Sequence, residues 1–204
     1  MRLEFISDYR SPYSYLANIK LKTLGVSIDH KPLDIVAVMK LVNNQPSPMC
    51  PPKARYAGLD AGRWAKLYGA RFSPNRPLLG AMGAGKFDGS LLSRAALAAQ
   101  EIGIFDRVND AIFEAVWAGD DDLVTDQGRS TFLRTRGVSV EDLWQLASAP
   151  KIVQLQVQQA KEAADRGVFG VPTFFVDDEM FFGNDRLGFV EARLQGKSFD
   201  GAVI

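Results

Sequence analysis

The sequence predicts an α/β protein in which one strand-bearing unit is split between the two ends of the chain and interrupted by a large helical insertion. Three observations carry this expectation. Strand patterns occur only near residues 3–6, 26–35 and 173–182. From Ser90 to Gly167 one helical pattern follows another, most of them closed by glycine. The strands at either end are too few to bury an apolar face alone, so both ends must share one sheet. The expected limits are 1–38 and 165–204 for the split unit and 39–164 for the insertion.

Leu3, Phe5 and Ile6 give the first strand. Pro12 opens a helix expected to run to about Leu24, where Gly25 stops it. "VSIDHKPLDI" (26–35) reads as a second strand, so the chain begins strand–helix–strand. Residues 45–56, "QPSPMCPPKARY", contain four prolines and are expected to form no regular element. "AGRWAKLYG" (61–69) reads as a short helix with Trp64, Leu67 and Tyr68 on one side, and "RFSPNRP" (71–77) as a loop. Helical patterns follow at 91–103, 106–119, 125–137, 139–148 and 150–167, with a capping signal at Ser139 and Asp142. Thr173–Val176 and Glu179–Phe182 are extended runs joined by Asp177-Asp178, a hairpin signal. A last helix follows in 184–196.

Bulk properties exclude several function classes. Lys and Arg total 24 against 24 Asp and Glu, so the basic excess of a nucleic-acid binder is absent. No apolar run approaches a membrane span. The acid-bearing start, Met1 to Ile6, is unlike a signal peptide, and a cytoplasmic location is the default expectation. One cysteine, Cys50, excludes a CxxC redox centre. One histidine, His30, leaves a His-rich metal site or a Ser–His pair hard to build. No metal is expected.

The chemistry concentrates in two stretches. In "RSPYSYLA" (10–17) Ser11 falls between strand and helix, at the N-cap, with Pro12 at the first helical position. Replacing Ser11 and Ser14 by cysteine would give the C-P-Y-C of a thiol–disulfide centre. A serine there cannot exchange disulfides, but at a helix N-terminus it can donate a hydrogen bond to a thiolate supplied by another molecule. Arg10 could add positive charge. Capping alone would equally account for Ser11. In "GVFGVPTFFV" (167–176) a Val-Pro-Thr step precedes the hairpin. A cis proline there would leave the Val171 backbone free to pair with an extended ligand.

These stretches, with "PPKARYAGLDAGRWAKLYGARF" (51–72) and "FFGNDRL" (181–187), resemble a known group in the same order along nearly the whole chain. It is the thioredoxin-fold group that contains the 2-hydroxychromene-2-carboxylate isomerases and the kappa-class glutathione transferases, relatives of DsbA-type proteins. The resemblance implies a thioredoxin-like fold with a large all-helical insertion and glutathione as cofactor. It implies that Ser11 faces the glutathione sulfur, that Val171 before Pro172 pairs with the cysteinyl backbone, and that Asn184 and Asp185 hold the γ-glutamyl end. It also implies an asparagine and a lysine lining the site, for which Asn44 and Lys53 are the best matches and Asn43 an alternative.

The activity implied is isomerisation of 2-hydroxychromene-2-carboxylate or a similar aromatic enone acid. Thiolate addition makes a double bond single, rotation follows, and elimination returns the isomer and the glutathione. A kappa-like transferase or peroxidase and a non-catalytic glutathione binder are the alternatives. Trp64, Tyr68, Phe72 and Arg63 could hold the aromatic acid, though aromatics on a helix of this kind also serve as core. Relatives are often dimers, which allows a homodimer here.

Other features point to less. "GAMGAGKF" (80–87) lacks the hydroxyl residue a phosphate loop needs after Lys86 and reads as a flexible Gly-rich loop. Asp120 to Asp122 read as a solvated turn with capping acids. His30 reads as structural. Cys50 has no neighbour in the sequence that would activate it.

Overall fold

The computed structural model describes residues 1–138 and 143–199. Its sheet has the order β2-β1-β3-β4, built from β1 (Leu3–Ser7), β2 (Ile28–Pro32), β3 (Thr173–Val176) and β4 (Glu179–Phe182). β1 runs parallel to β2 across the helix α1 (Pro12–Leu21) and antiparallel to β3, with Leu3 opposite Val176 and Ile6 opposite Thr173. The two ends of the chain thus meet in one sheet.

Period-two alternation sorts the side chains onto two faces. Leu3 and Phe5 join Phe174 and Val176 against Ala17 and Leu21 of α1 and Leu187 and Val190 of α10 (Leu187–Leu194). Ile6 and Phe175 face Val38 of α2 (Ile35–Leu41) and Ala160 and Ala163 of α9 (Pro150–Asp165). The Phe5 and Phe174 rings stack at 5.5 Å.

The helices α3 (Pro51–Tyr68), α4 (Arg76–Gly83), α5 (Ser90–Glu101), α6 (Phe105–Trp117), α7 (Asp126–Thr135) and α8 (Leu143–Ala147) build a second core around Leu92, Leu97, Ile112 and Phe113. Buried bonds fasten it to the sheet. Trp117 Nε1 donates to the Tyr9 carbonyl at 2.8 Å, Tyr9 O–H to Asn109 Oδ1 at 2.8 Å, and Ser93 O–H to the Leu33 carbonyl at 2.8 Å. α9 packs on α5 and α8 as well as on α2, so it belongs to both cores.

Three expectations are corrected. Residues 45–56 are not wholly irregular, because α3 begins at Pro51. Pro51 and Pro52 occupy its first two positions, where an amide hydrogen has no intrahelical acceptor. "RFSPNRP" gives way to α4 at Arg76: Asn75 caps it by accepting from the Leu78 amide at 3.1 Å, and Pro77 sits in its first turn. The helix also takes in Gly80 and Gly83, half of the stretch read as a Gly-rich loop. The α1 pattern tightens to a 3₁₀ turn at Lys22–Leu24 before Gly25. The capping signal at Ser139 and Asp142 lies outside the described residues.

His30 is structural. Its ring lies 5.7 Å from Phe5 and 5.1 Å from Phe105, and its Nδ1 is buried without a partner among the described residues. Burial lowers its pKa below the ordinary 6.5, against the opposing pull of Asp106, Asp110 and Asp29. The unfolded chain therefore takes up this proton first as pH falls. The His30 contribution to stability is complete above the unfolded value and is lost progressively below it, down to the folded value. In urea unfolding, the drop in midpoint from pH 7.5 to 5.5 is expected to be smaller in His30→Phe than in the parent chain.

Candidate functional site

The site begins where β1 gives way to α1. Ser11 has an extended backbone (φ −98°, ψ 118°), and its amide donates to the Asp8 carbonyl at 3.0 Å. Its Oγ accepts from the Ser14 amide at 3.2 Å, which makes it the N-cap of α1, with Pro12 as the first helical residue. A hydroxyl carries one proton and two acceptor positions. The cap uses an acceptor position only, and among the described residues nothing receives the Ser11 proton. Capping and donation to a ligand are therefore compatible. Ser14 is fully buried and its Oγ has no partner among the described residues.

Arg10 lies next to Ser11 in sequence, but its guanidinium is bound to other groups. It pairs with Asp8, which is fully buried, and with Asp34, the N-cap of α2. Asp8 also accepts from the Arg10 amide at 2.8 Å and the Ile35 amide at 2.9 Å. Burial alone would lower the Arg10 pKa, yet the two carboxylates raise it on balance. One cation among two anions leaves no free positive charge for a sulfur. Its observed role is to tie the starts of α1 and α2 together.

The Val171–Pro172 peptide bond is cis. Because Ile6 faces Thr173 in the antiparallel pair, Val171 and Pro172, just before β3, lie at the end of the sheet where β1 finishes and residues 8–11 turn into α1. The bend is braced on three sides. Thr173 O–H donates to the Gly170 carbonyl at 2.8 Å, the Gly183 amide to the Pro172 carbonyl at 2.9 Å, and Asn44 Nδ2 to the Phe169 carbonyl at 2.8 Å. Asn44, not Asn43, makes this contact; Asn43 takes the left-handed turn (φ 54°) after α2. Val171 is half-buried, and among the described residues neither its N–H nor its C=O has a partner.

α3 and the 3₁₀ turn Asn184–Arg186 form the remaining wall, both packed on α1. Asn184 is 3% exposed; its Oδ1 accepts from Tyr68 O–H at 3.5 Å, while its Nδ2 is buried without an acceptor among the described residues. Asp185 is exposed and pairs with Arg186 at 2.9 Å. Tyr13, in the first turn of α1, donates to Asp60 Oδ2 at 3.0 Å, and Tyr56 donates to Oδ1 at 3.3 Å. Burial, Asp60, Tyr56 and Asp185 all raise the Tyr13 pKa, and burial and Asp185 raise that of Tyr68 despite the Asn184 bond. Lys53 stands two turns before Asp60 on the same face of α3, exposed and without an ion pair among the described residues.

Of the residues considered for an aromatic acid, Phe72 stacks on Trp117 (6.0 Å, 5°) and so fills the helical core. Trp64 and Tyr68 are half-buried with ring centres 5.5 Å apart, and Arg63 is exposed. Tyr13, Tyr56 and Asp60 had no role assigned from sequence. The available signal was that Asp60 is the one acid in α3, among Lys53, Arg55, Arg63 and Lys66.

The features set aside lie elsewhere. Asp121 pairs with Arg136 at 2.6 Å, and Asp122 accepts from the Val124 and Thr125 amides. Cys50 stands before α3 without a side-chain capping bond. A cavity of about 100 Å³ between β2 and α9, lined by Lys31, Leu33, Gln159 and Arg166, includes none of the candidate residues.

Comparison with known proteins agrees with this layout. The DSBA-like thioredoxin domain model matches residues 2–195. A 2-hydroxychromene-2-carboxylate isomerase of Sphingobium xenophagum is 32% identical, over 94% of this chain and 97% of its own. Glutathione S-transferase kappa 1 of Caenorhabditis elegans is 24% identical, over 95% of this chain and 91% of its own. A solved 2-hydroxychromene-2-carboxylate isomerase structure superposes with a TM-score of 0.78 at 25% identity, covering 96% of this chain and 95% of that one. No helix among the described residues is long and apolar enough to cross a membrane.

Proposed function

Because the chain belongs to the DSBA-like thioredoxin family, in the branch of the 2-hydroxychromene-2-carboxylate isomerases and kappa-class glutathione transferases, we propose that it is a glutathione-dependent isomerase of 2-hydroxychromene-2-carboxylate or a similar aromatic enone acid. Its substrate is a small molecule, and it works in the cytoplasm. The observation that carries this reading is Ser11, a helix N-cap with an uncommitted hydroxyl proton in the frame where a redox protein keeps a cysteine.

The residues present fit glutathione. Among the described residues the Val171 N–H and C=O have no partner and are available for strand-like pairing with a cysteinyl backbone, and the buried Asn184 Nδ2 has no acceptor. Asn44 holds the loop before Pro172 in place. When bound, glutathione supplies a thiolate that adds reversibly to the conjugated double bond of the substrate. The protein's part is to keep that sulfur ionised and to align the reactants. Ser11 donates a hydrogen bond to the sulfur, and the positive end of α1 favours the anion. Lys53, exposed on α3 and without an ion pair among the described residues, is the candidate for a carboxylate of cofactor or substrate. Trp64 and Tyr68 are the candidates for aromatic contact. Disulfide exchange is excluded, since Ser11 and Ser14 hold both cysteine positions and Cys50 is the only cysteine.

The test is spectral interconversion of a hydroxychromene carboxylate at catalytic glutathione concentration. Isomerisation that needs glutathione without consuming it supports the proposal. Stoichiometric loss of glutathione into an adduct favours a kappa-like transferase, a reading encouraged by the nematode relative. Binding with neither outcome leaves a glutathione-binding protein.

A further inference from the structure

On the sheet face away from α1, a cavity of about 100 Å³ lies between β2 and α9. Ile6, Leu33 and Ala163 give it an apolar floor, and Lys31, Gln159, Glu162 and Arg166 supply its polar groups. Its volume is about three times the ~30 Å³ share of one water in the liquid, room for a small organic molecule.

The helix side of the cavity has acceptors without donors. Glu162 and Arg166 stand four residues apart with the acid first, the order and spacing that favour an ion pair along a helix. They do not pair. Arg166 turns to the sheet, where its Nη1 donates to the buried Glu4 Oε2 at 2.7 Å and its guanidinium carbon lies 3.8 Å from the centre of the Phe175 ring. Glu162 keeps one neutral donor, Gln158 Nε2 at 2.7 Å, and pairs with no cation among the described residues. One turn earlier, Gln159 Oε1 is buried and has no donor among the described residues.

Positive charge is in surplus beside these acceptors. Arg2, Lys31 and Arg166 share two carboxylates, Glu4 and Asp29. Lys31 pairs with Asp29 at 3.0 Å and Arg166 with Glu4, and an ammonium or a guanidinium has N–H donors left after one such contact. Lys31 and Glu162 line the same cavity but are too far apart to pair. A purely cationic ligand would satisfy Glu162 and Gln159 alone, and a purely anionic one Lys31 and Arg166 alone. A ligand that satisfies both carries an ammonium and a carboxylate a bond or two apart.

We propose that this cavity binds a free α-amino acid of about the size of alanine. Its ammonium donates to Gln159 Oε1 and Glu162, its carboxylate accepts from Lys31 and Arg166, and its side chain rests on Ile6, Leu33 and Ala163. None of these residues belongs to the candidate glutathione site, so the inference stands apart from the proposed activity. Because α9 packs in both cores, the ligand would join β2 to the helix that links them.

The test is calorimetric titration of the parent chain with L-alanine, with propionate, which lacks the ammonium, and with alaninamide, which lacks the carboxylate. Saturable binding of alanine is expected, with each analogue weaker by about ten-fold or more for its missing charge-assisted contact. Glu162→Gln, at an exposed position, is expected to weaken alanine by a similar factor. Three results would each overturn the inference: no binding of alanine, which leaves the cavity to water; an analogue that binds as well as alanine, which makes this a simple anion or cation site; or a folded Glu162→Gln that binds alanine like the parent chain, which places the amino acid elsewhere. The analogue series on the parent chain decides the matter even if circular dichroism shows the variant unfolded.

Discussion

Ser11→Ala is expected, on the glutathione reading proposed above, to raise the pKa of the bound thiol and to cut isomerisation, because the sulfur would lose the Ser11 hydroxyl as a donor. A hydrogen bond to a charged group is worth about 1.5–3 kcal/mol, which corresponds to a fall of about ten- to a hundred-fold in the ionised fraction wherever the thiol is not fully ionised. Thiolate absorbance of the bound cofactor across pH measures it directly. The same substitution removes the α1 cap, at a cost of about 1 kcal/mol in stability. Ser11→Asp separates the two effects. Aspartate caps as well as serine but, ionised, has no proton to give and repels a thiolate. It should leave the unfolding midpoint near that of the parent chain and suppress activity at least as far as alanine. If both variants kept normal thiolate absorbance, Ser11 would be a cap and nothing more.

Arg10→Ala is expected to produce the largest stability loss. It strips the counter-charge from Asp8, which is fully buried, and from the cap of α2. Removing one partner of a buried ion pair typically costs about 3–5 kcal/mol, because the remaining charge stays desolvated. Urea unfolding at pH 7 should show the loss. Arg10→Lys should fall between the two, since an ammonium replaces the charge but not the forked geometry that reaches both carboxylates. A variant as stable as the parent would show that Asp8 is adequately solvated by its amide donors alone.

The contrast between these two neighbours shows what the sequence makes legible. The role of Ser11 is local. Strand end, cap residue and proline stand within six positions, and the capping bond reaches only to Ser14. The hairpin is local too, and Thr173–Val176 and Glu179–Phe182 are the strands read from alternation and the Asp-Asp turn. Arg10 is decided by Asp34, 24 residues away, and Asp60 by Tyr13, 47 residues away. Such pairings follow from the topology, which no run of neighbouring residues encodes. The α3 error has another source: proline breaks a helix in its middle but suits its first turn, and all four prolines of 45–56 stand at starts, Pro46 and Pro48 at that of the 3₁₀ turn Ser47–Met49 and Pro51 and Pro52 at that of α3. α4 was hidden because Gly80 and Gly83 lower helix propensity, while burial of Leu78 and the Asn75 cap compensate.

The bonds from Trp117 to the Tyr9 carbonyl, from Ser93 to the Leu33 carbonyl and from Gln100 to the His30 carbonyl have a consequence for how the molecule melts. Each joins a helix of the inserted part to backbone in or beside β1 or β2, so neither part can loosen while the other stays intact. Calorimetry should record a single heat-absorption peak, and the indole fluorescence of Trp117 should change at the same temperature as the far-ultraviolet signal of the helices.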